Sequence, residues 1–278
     1  MRAPEKTHIL QHTFETNRVC IVIPTYNNAG TLKRVLDDVL LYTSNLIVIN
    51  DGSTDSTNTI LSDYPEIIVH HLTRNQGKGK ALRKGFRIAD EAGYDYVITM
   101  DSDGQHFPDD LPVFLDVLKN KRPSDPEPLV IGSRKMDDPS VPDKSSIGNR
   151  FSTFMIWIET GIKLQDTQCG YRLYPLKIIR KLPLRTSKFE LEIEVLVKAA
   201  WAGALIRNKP VKVLYDPKER VTHFRPFQDV ARITLLNIYF VLALLLYIAP
   251  RNIIRRLRAN GKTHDHKQVG VPSETTAN

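Results

Sequence analysis

The chain has 278 residues, 41% of them hydrophobic and 25% charged, as expected for a globular protein with room for one large α/β domain and a modest appendage. Its net charge of +8 favours a polyanionic surface or ligand, such as nucleic acid, an anionic membrane face or phosphorylated substrates. Having only two cysteines argues against a zinc site and for a reduced compartment, and the first 18 residues contain no apolar signal core, so nothing points to secretion.

Short apolar runs and helical stripes alternate through the first 120 residues. Residues 19–24 form a continuous apolar run, which is typical of a parallel strand covered on both faces. Residues 31–42 follow with an apolar stripe at helical spacing. The alternation continues with strands at 46–49, 67–72 and 94–100, helices ending near 62 and 92, and a helix at 108–120. It predicts an α/β fold with a mostly parallel, doubly wound sheet flanked by helices.

The second half of the chain is less regular. The predicted elements are a strand at 129–133, helices at 147–162 and 189–202, and an edge strand or hairpin at 204–215. Between them, residues 136–146 are polar and contain proline, which suits a mobile lid, and residues 166–172 form a compact polar loop with a glycine hinge. Four parts are therefore expected: an N-terminal extension (1–18), the main domain (19–228), an apolar segment (229–258) and a disordered polar tail (259–278).

Two carboxylates follow the strand at 94–100. Asp101 and Asp103 come just past its end, where open α/β sheets have their ligand crevice. Such a pair favours Mg²⁺ or Mn²⁺, which takes one or two carboxylates and completes its shell with water and a substrate diphosphate. Gln105 or His106 would supply a further ligand. The alternative for an isolated Asp-x-Asp is a solvated acidic turn.

Polar residues also follow the other predicted strands. Asp51 would accept hydrogen bonds from a base or ribose, or else cap the helix that follows it. The loop before the next helix combines basic residues with glycines, namely Arg74, Lys78, Lys80, Gly77 and Gly79. Such a loop suits a diphosphate, although basic loops are more often simply solvated. Several arginines of the second half would hold phosphates if the fold gathered them: Arg134, Arg150, Arg172, Arg220 and Arg225.

The segment at 233–249 is apolar nearly all round. Its length falls just under the ~20 residues that a bilayer crossing needs. Arginines flank it on both sides, so crossing the bilayer would leave an arginine cluster on the far side. We therefore expect a membrane-associated helix that lies in or dips into the cytoplasmic leaflet. A buried core or oligomer helix is the alternative.

Seven short motifs occur in order along the chain. They are IPTYN (23–27), NDGSTD (50–55), NQGKGKAL (75–82), DSDGQH (101–106), GSR (132–134), DTQCGYRLY (166–174) and ERVTHFRPF (219–227). In this order and spacing they resemble the family 2 inverting glycosyltransferases of GT-A fold, most closely the dolichyl-phosphate mannose synthase-like branch. The resemblance implies a GT-A, Rossmann-like domain over residues 19–228.

The resemblance also implies roles for individual residues. The nucleotide would contact Pro24, Tyr26, Asp51, Lys78 and Asp101, and Mg²⁺ or Mn²⁺ would be held by Asp101, Asp103 and Gln105. The acceptor and its phosphate would meet Arg134, Arg150, Arg172 and Asp166, and the leaving nucleoside diphosphate would be neutralised by Arg220 and His223. The expected catalytic residues are Asp103, Asp166 and Arg220.

The implied activity is transfer of a hexose, with inversion, from a nucleotide diphosphate sugar of the GDP-mannose or UDP-glucose type. A polyprenyl phosphate or another membrane lipid would be the acceptor, at the cytoplasmic face of a membrane. A sugar hydroxyl is the alternative acceptor, and it would need a general base, for which Asp166 and then Glu192 are the candidates. A nucleic-acid-binding protein is disfavoured because no basic helix is interleaved with aromatic residues. An inactive scaffold is disfavoured by the intact Asp101/Asp103 pair.

Overall fold

The computed structural model describes residues 3–119, 121–135, 143–214 and 225–248. The elements of its first half are α1 (Ala3–Thr16), β1 (Val19–Thr25), α2 (Ala29–Leu40), β2 (Leu46–Asn50), α3 (Thr57–Ser62), β3 (Ile68–His71), α4 (Lys78–Glu91), β4 (Tyr96–Thr99) and α5 (Leu111–Lys119). Those of the second half are β5 (Pro128–Ser133), α6 (Asp143–Thr160), β6 (Arg172–Pro175), α7 (Leu176–Ile179), α8 (Glu190–Trp201), β7 (Leu205–Pro210) and α9 (Pro226–Ala243). A 3₁₀ turn at Pro108–Asp110 precedes α5, and a π-helical turn at Leu244–Ile248 continues α9.

The strands form one seven-stranded sheet in the order β3-β2-β1-β4-β6-β5-β7. Strands β3, β2, β1 and β4 are parallel to one another, and β5 and β7 are parallel to each other. Every residue of β1 and β2 is buried, because helices cover both faces of the sheet at these apolar runs. The expected α/β fold with a mostly parallel sheet is confirmed, and β7 is the edge strand expected within 204–215.

Strand β6 is the feature that the sequence did not predict. It lies antiparallel between β4 and β5, with Ile98 opposite Leu173 and Thr99 opposite Arg172. All four of its residues are buried, so the strand shows no alternation of polar and apolar residues. Because β6 runs against β4, the residues that precede it lie beside the carboxyl end of β4. The loop at 166–171 is thereby placed next to the expected metal-binding carboxylates.

Helix α1 packs onto the domain, although the sequence predicted only an extension there. The side chain of Phe14 is completely buried and belongs to the hydrophobic core. The predicted helix at 147–162 also begins earlier, at Asp143, within the stretch expected to form a lid. The rest of that lid, the tail at 259–278, Arg220 and His223 lie outside the described residues.

The apolar helix α9 contacts the domain along one side. Its buried residues are Asp229, Asn237 and Phe240, and the Phe240 ring packs edge-on against Trp201 of α8 with centroids 5.4 Å apart. Its other sides expose large apolar residues, including Leu235 (67% exposed) and Leu246 (78% exposed) of the helix and its π-helical extension. The expected apolar helix is therefore present, packed on the domain along one face and open along the rest.

Candidate active site

A cavity of about 550 Å³ opens at the carboxyl ends of β1, β2 and β4. It is lined by six residues that the sequence assigned to the donor or the metal: Pro24, Tyr26, Asp51, Lys78, Asp101 and Asp103. These residues come from four of the seven motifs. The parallel strands bring the motifs together because the carboxyl ends of the strands meet at one edge of the sheet. The cavity is large enough for a nucleotide-sized ligand.

Asp51 fastens the basic loop at one side of the cavity. Its two carboxylate oxygens accept hydrogen bonds from the main-chain N–H groups of Gln76 and Gly77, both at 2.7 Å. Burial raises the pKa of Asp51, and these hydrogen bonds oppose the rise. Gly77 has a φ of +99°, and a Cβ there would lie 2.7 Å from the carbonyl oxygen of Ser187. Asp51 thus braces the loop before α4 and not the helix that follows it in the chain, α3.

Lys78 forms ion pairs with two carboxylates, those of Asp101 and Glu192. Its Nζ lies 2.7 Å from Oδ1 of Asp101 and 3.4 Å from Oε2 of Glu192. Burial opposes ionisation of Asp101, but Lys78 holds the pKa of that carboxyl below its usual range. The side chain of Asp101 keeps 27% of its surface exposed, so it is both charged and accessible to a ligand.

The turn that carries Asp101 and Asp103 is held from the start of α2. The Nδ2 of Asn28 donates to Oγ of Ser102 at 2.6 Å, and the hydroxyl of Thr31 donates to the Ser102 carbonyl oxygen at 2.7 Å. Asp103 accepts the main-chain N–H of Gln105 at 3.1 Å. The two acidic side chains therefore line the cavity from a turn that is anchored on both sides.

The carboxylates fit a magnesium or manganese ion only in combination with substrate oxygens. No group of three or more His, Cys, Asp or Glu residues is gathered for a metal in the described part of the chain. Asp101 and Asp103 both line the cavity, and Mg²⁺ needs only one or two protein carboxylates when a diphosphate and waters supply the rest. Residues 101–105 thus fit a metal that is bound together with a diphosphate.

His106 lies behind the same turn. Its ring packs on Tyr171 with centroids 5.1 Å apart, and it is 8% exposed. Burial lowers the pKa of His106 to about 4, so the ring is neutral at pH 7. Its buried Nδ1 has no hydrogen-bond partner among the described residues. Whether the ring completes the metal shell is left as a prediction.

Asp166 and Arg134 form a two-pronged ion pair beside the cavity. The Nε and Nη2 atoms of Arg134 donate to Oδ2 and Oδ1 of Asp166 at 2.6 and 3.0 Å. Oδ1 also accepts the main-chain N–H groups of Gln168 and Cys169 at 2.9 and 3.3 Å. Asp166 is completely buried. The candidate general base therefore already has both oxygens engaged.

Arg172 supports the loop from beneath. It is completely buried, and its guanidinium donates to the carbonyl oxygens of Cys169, Glu192 and Thr167 at 2.6, 2.9 and 2.9 Å. This geometry makes it a positioning residue for the loop, in contrast to the expected contact with the acceptor. Arg150 is exposed on α6, next to Asn149, whose side chain bonds the main chain of Gln165 and Thr167.

The loop at 166–171 also closes against the metal-binding turn. The hydroxyl of Thr99 donates to the Gly170 carbonyl oxygen at 2.7 Å. A Cβ at Gly170 would collide with Oδ2 of Asp101 and lie 3.0 Å from Nζ of Lys78. A side chain at this position would displace the Asp101 carboxylate, because the loop backbone passes directly over these charged groups. The loop at 166–171 and the turn that carries Asp101 thus lie against each other.

One wall of the cavity was missed by sequence reasoning. Arg225, Asp229 and Arg232 of α9 and its N-terminus line the cavity, together with Lys188 and Phe189 before α8. In the sequence Arg225 is one basic residue among several, and Asp229 and Arg232 fall within the apolar segment at 229–258. Their spacing of four and three residues places all three on one helical face, which is the signal that would have grouped them.

Comparisons with known proteins agree with this geometry. The sequence profile of the family described as Glycosyl transferase family 2 matches residues 20–183. An undecaprenyl-phosphate mannosyltransferase from Micrococcus luteus is 33% identical over 213 residues, which cover 70% of this chain and 82% of that protein. A UDP-N-acetylglucosamine–dolichyl-phosphate N-acetylglucosaminyltransferase from Methanococcus voltae is 28% identical, covering 71% of this chain and 86% of that protein.

The fold is similar to that of solved glycosyltransferases. Glucosyl-3-phosphoglycerate synthase from Mycobacterium tuberculosis, solved with Mn²⁺, UDP-glucose and phosphoglyceric acid, superposes with a TM-score of 0.60 and 19% identity. The superposition covers 85% of this chain and 83% of that chain. The GT-A fold expected from the motifs is confirmed.

Proposed function

Because the chain belongs to glycosyl transferase family 2, we propose that it moves a hexose from a nucleotide diphosphate sugar to a polyprenyl phosphate or another membrane lipid. The observation that carries the proposal is the cavity at the carboxyl ends of β1, β2 and β4. It combines a metal-binding pair, Asp101 and Asp103, with Asp51 and Lys78 on the neighbouring loops. These are the groups that a sugar nucleotide with a metal-bound diphosphate requires.

The donor would lie with its nucleoside near Pro24, Tyr26 and Asp51 and its diphosphate near Asp101 and Asp103. A bound Mg²⁺ or Mn²⁺ would neutralise the developing charge of the departing diphosphate. Lys78 adds positive charge at the same place, since its Nζ already lies 2.7 Å from Asp101. The chain thus provides both the carboxylates for a cation and a cation of its own.

A phosphate acceptor suits the geometry better than a sugar hydroxyl. A phosphate oxygen is already anionic, so it can attack the anomeric carbon without a general base. Attack from the face opposite the diphosphate forms the new C–O bond as the old one breaks and the nucleoside diphosphate leaves with the electron pair, which inverts the anomeric centre. A hydroxyl acceptor would need a general base, and the first candidate, Asp166, is bonded to Arg134 and to two main-chain N–H groups.

The relatives support a lipid-linked acceptor. The Micrococcus luteus protein is named for undecaprenyl phosphate and the Methanococcus voltae protein for dolichyl phosphate. For this chain we propose that the acceptor phosphate approaches along the loop at 166–171, near Arg134 and Arg150. Arg220 and His223 would neutralise the leaving group, as the motif resemblance implies.

Two helices give the protein a surface suited to a membrane. Residues Phe227–Ile248 form a 22-residue helical stretch with a mean hydropathy of 2.0, of which 11% is buried. The neighbouring α6 exposes a stripe of large apolar residues at helical spacing: Ile147, Phe151, Phe154 and Ile158. Because α9 packs along α6 and α8, we propose that both helices lie in the membrane interface and do not cross it.

The cytoplasmic face is the side that we propose for this interface. Both cysteines, Cys20 and Cys169, are buried free thiols, which suits a reduced compartment. Nucleotide sugars would reach the cavity from the same side.

The proposal is tested by a donor screen on the purified protein. GDP-mannose, UDP-glucose and UDP-N-acetylglucosamine would each be supplied with Mg²⁺ or Mn²⁺, with and without polyprenyl phosphate, and nucleoside diphosphate release would be measured. We expect lipid-dependent release with one donor, falling on the order of 10³-fold in Asp103→Ala. The matched control, Asp116→Ala on the exposed side of α5, should keep full activity.

Two results would contradict parts of this proposal. Donor binding without lipid-dependent turnover would move the acceptor to a sugar hydroxyl. Absence of binding to any of the three donors would remove the proposed donor chemistry.

A further inference from the structure

The cavity has a basic wall that the proposed donor contacts do not use. Three residues of this wall, Arg225, Asp229 and Arg232, come from the first two turns of α9 and the residue before them. Lys188, just before α8, also lines the cavity and lies beside Gly77. The wall belongs to the helix that elsewhere exposes its apolar residues.

Asp229 holds the wall together. It is 2% exposed, and its Oδ2 accepts the main-chain N–H of Arg225 at 2.7 Å. Its Oδ1 accepts Nη1 of Arg232 at 3.0 Å. A guanidinium has five N–H donors in a rigid fork, and this hydrogen bond uses one of them. The hydrogen bond to Asp229 therefore fixes the position of the Arg232 side chain. Because that side chain is 41% exposed, it remains accessible to a ligand.

The two sides of the cavity differ in charge. On the strand side, three carboxylates (Asp51, Asp101 and Asp103) accompany two cations, Lys78 and Lys188. On the α9 side, two cations (Arg225 and Arg232) accompany one carboxylate, Asp229. A metal-bound diphosphate has the matching polarity, because the metal faces carboxylates and the remaining phosphate oxygens face cations.

We propose that Arg232, positioned by Asp229, binds the diphosphate of the donor, so that α9 forms one wall of the donor site. The inference rests on the proposed function and deepens it, because it assigns a donor-binding residue to the apolar helix. The same helix exposes Leu235, Ile238 and Leu242 to the surroundings. The element that faces the membrane thereby also completes the nucleotide site.

Nucleotide binding tests this directly, without an acceptor. The full-length protein in detergent would be titrated with UDP and with GDP in the presence of Mg²⁺ by calorimetry. Arg232→Ala should weaken binding of the preferred nucleotide about tenfold or more, since a charge-assisted hydrogen bond is lost. The nucleotide affinity of Arg232→Lys should lie between those of the wild type and Arg232→Ala, because lysine keeps the positive charge but lacks the forked guanidinium. Arg87→Ala, which removes an exposed arginine of α4, is the matched control and should bind like the wild type.

Asp229→Asn separates positioning from simple electrostatics. If Asp229 acts by holding Arg232, the variant should bind nucleotide several-fold more weakly. If it acts only through its negative charge, its removal should strengthen binding of an anion. Thermal unfolding of each variant would show that α9 remains folded.

The outcomes separate the inference from the function on which it rests. Wild-type affinity in Arg232→Ala, or tighter binding in Asp229→Asn, would overturn the inference while the donor site stands. A wild-type protein that binds neither nucleotide would overturn the proposed function itself, and this result is read before any variant is compared.

Discussion

Two of the carboxylate–cation pairs at the candidate active site are built differently. Asp166 meets Arg134 through two hydrogen bonds of 2.6 and 3.0 Å and is completely buried. Asp101 meets Lys78 at 2.7 Å, and 27% of its side-chain surface remains exposed. The first pair closes a loop, whereas the second leaves its carboxylate open to solvent. Geometry thus separates a fully engaged, buried carboxylate from one that is accessible to a ligand.

A third carboxylate extends this comparison. Glu159 of α6 is completely buried, and neither of its carboxylate oxygens has a hydrogen-bond partner among the described residues. Burial raises the pKa of Glu159 to about 8, so it is largely protonated at pH 7. Its main-chain carbonyl oxygen accepts the indole N–H of Trp201, which packs on Phe240 of α9. Asp166 is thus paired through two hydrogen bonds and Asp101 contacts one lysine, whereas Glu159 has no side-chain partner among the described residues.

The largest effect on stability is expected at Asp166. Asp166→Asn should lower the free energy of unfolding by about 3 kcal/mol, because it leaves the largely buried Arg134 without its counter-charge. Asp101→Asn should cost less than about 1 kcal/mol, because that pair is partly solvated and Lys78 keeps Glu192. Denaturant unfolding of the two variants measures the difference. Equal losses in the free energy of unfolding would mean that the Asp166–Arg134 and Asp101–Lys78 pairs contribute equally to stability.

The sequence predicted the parts of the site that follow from strand order. Strand ends carrying Asp51 and Asp101 were found because continuous apolar runs stop at them, and the parallel sheet brings them to one edge. The partners of Asp166 and Arg172 were not predictable, since they depend on β6, which is four buried residues without alternation. The α9 wall was missed for a related reason. Its apolar residues predict a membrane-associated helix, and only its packing on α6 and α8 places Asp229 and Arg232 at the cavity.

A smaller and pH-dependent effect is expected at Glu159. The pKa of Glu159 is raised on folding from 4.5 to about 8, so the folded state retains a proton that the unfolded chain releases between these values. The contribution of Glu159 to the free energy of unfolding is therefore highest below about pH 4.5, and it falls as pH rises toward 8. From pH 6 to 7.5 we expect a loss of about 2 kcal/mol in the free energy of unfolding.

Glu159→Gln is the matched variant for this pH effect. The free energy of unfolding of this variant should change little between pH 6 and 8. Near pH 8 the variant should be more stable than the wild type. Urea unfolding at several pH values measures both. A wild-type profile as flat as that of the variant would show that Glu159 gains a partner when it ionises.

The smallest expected effect tests whether the Asp101–Lys78 pair is exchangeable. Without a nucleotide, Lys78 competes with a divalent cation for Oδ1 of Asp101, so Lys78→Met should raise the affinity for Mn²⁺ alone about fivefold, which corresponds to about 1 kcal/mol. Lys80→Met, at the next exposed lysine of α4, is the control for the loss of a nearby positive charge. Electron paramagnetic resonance counts free Mn²⁺ without any need for turnover. An equal gain in both variants would reduce Lys78 to a general source of charge, whereas a gain specific to Lys78 would mean that the lysine keeps the metal site closed until metal and donor diphosphate arrive together.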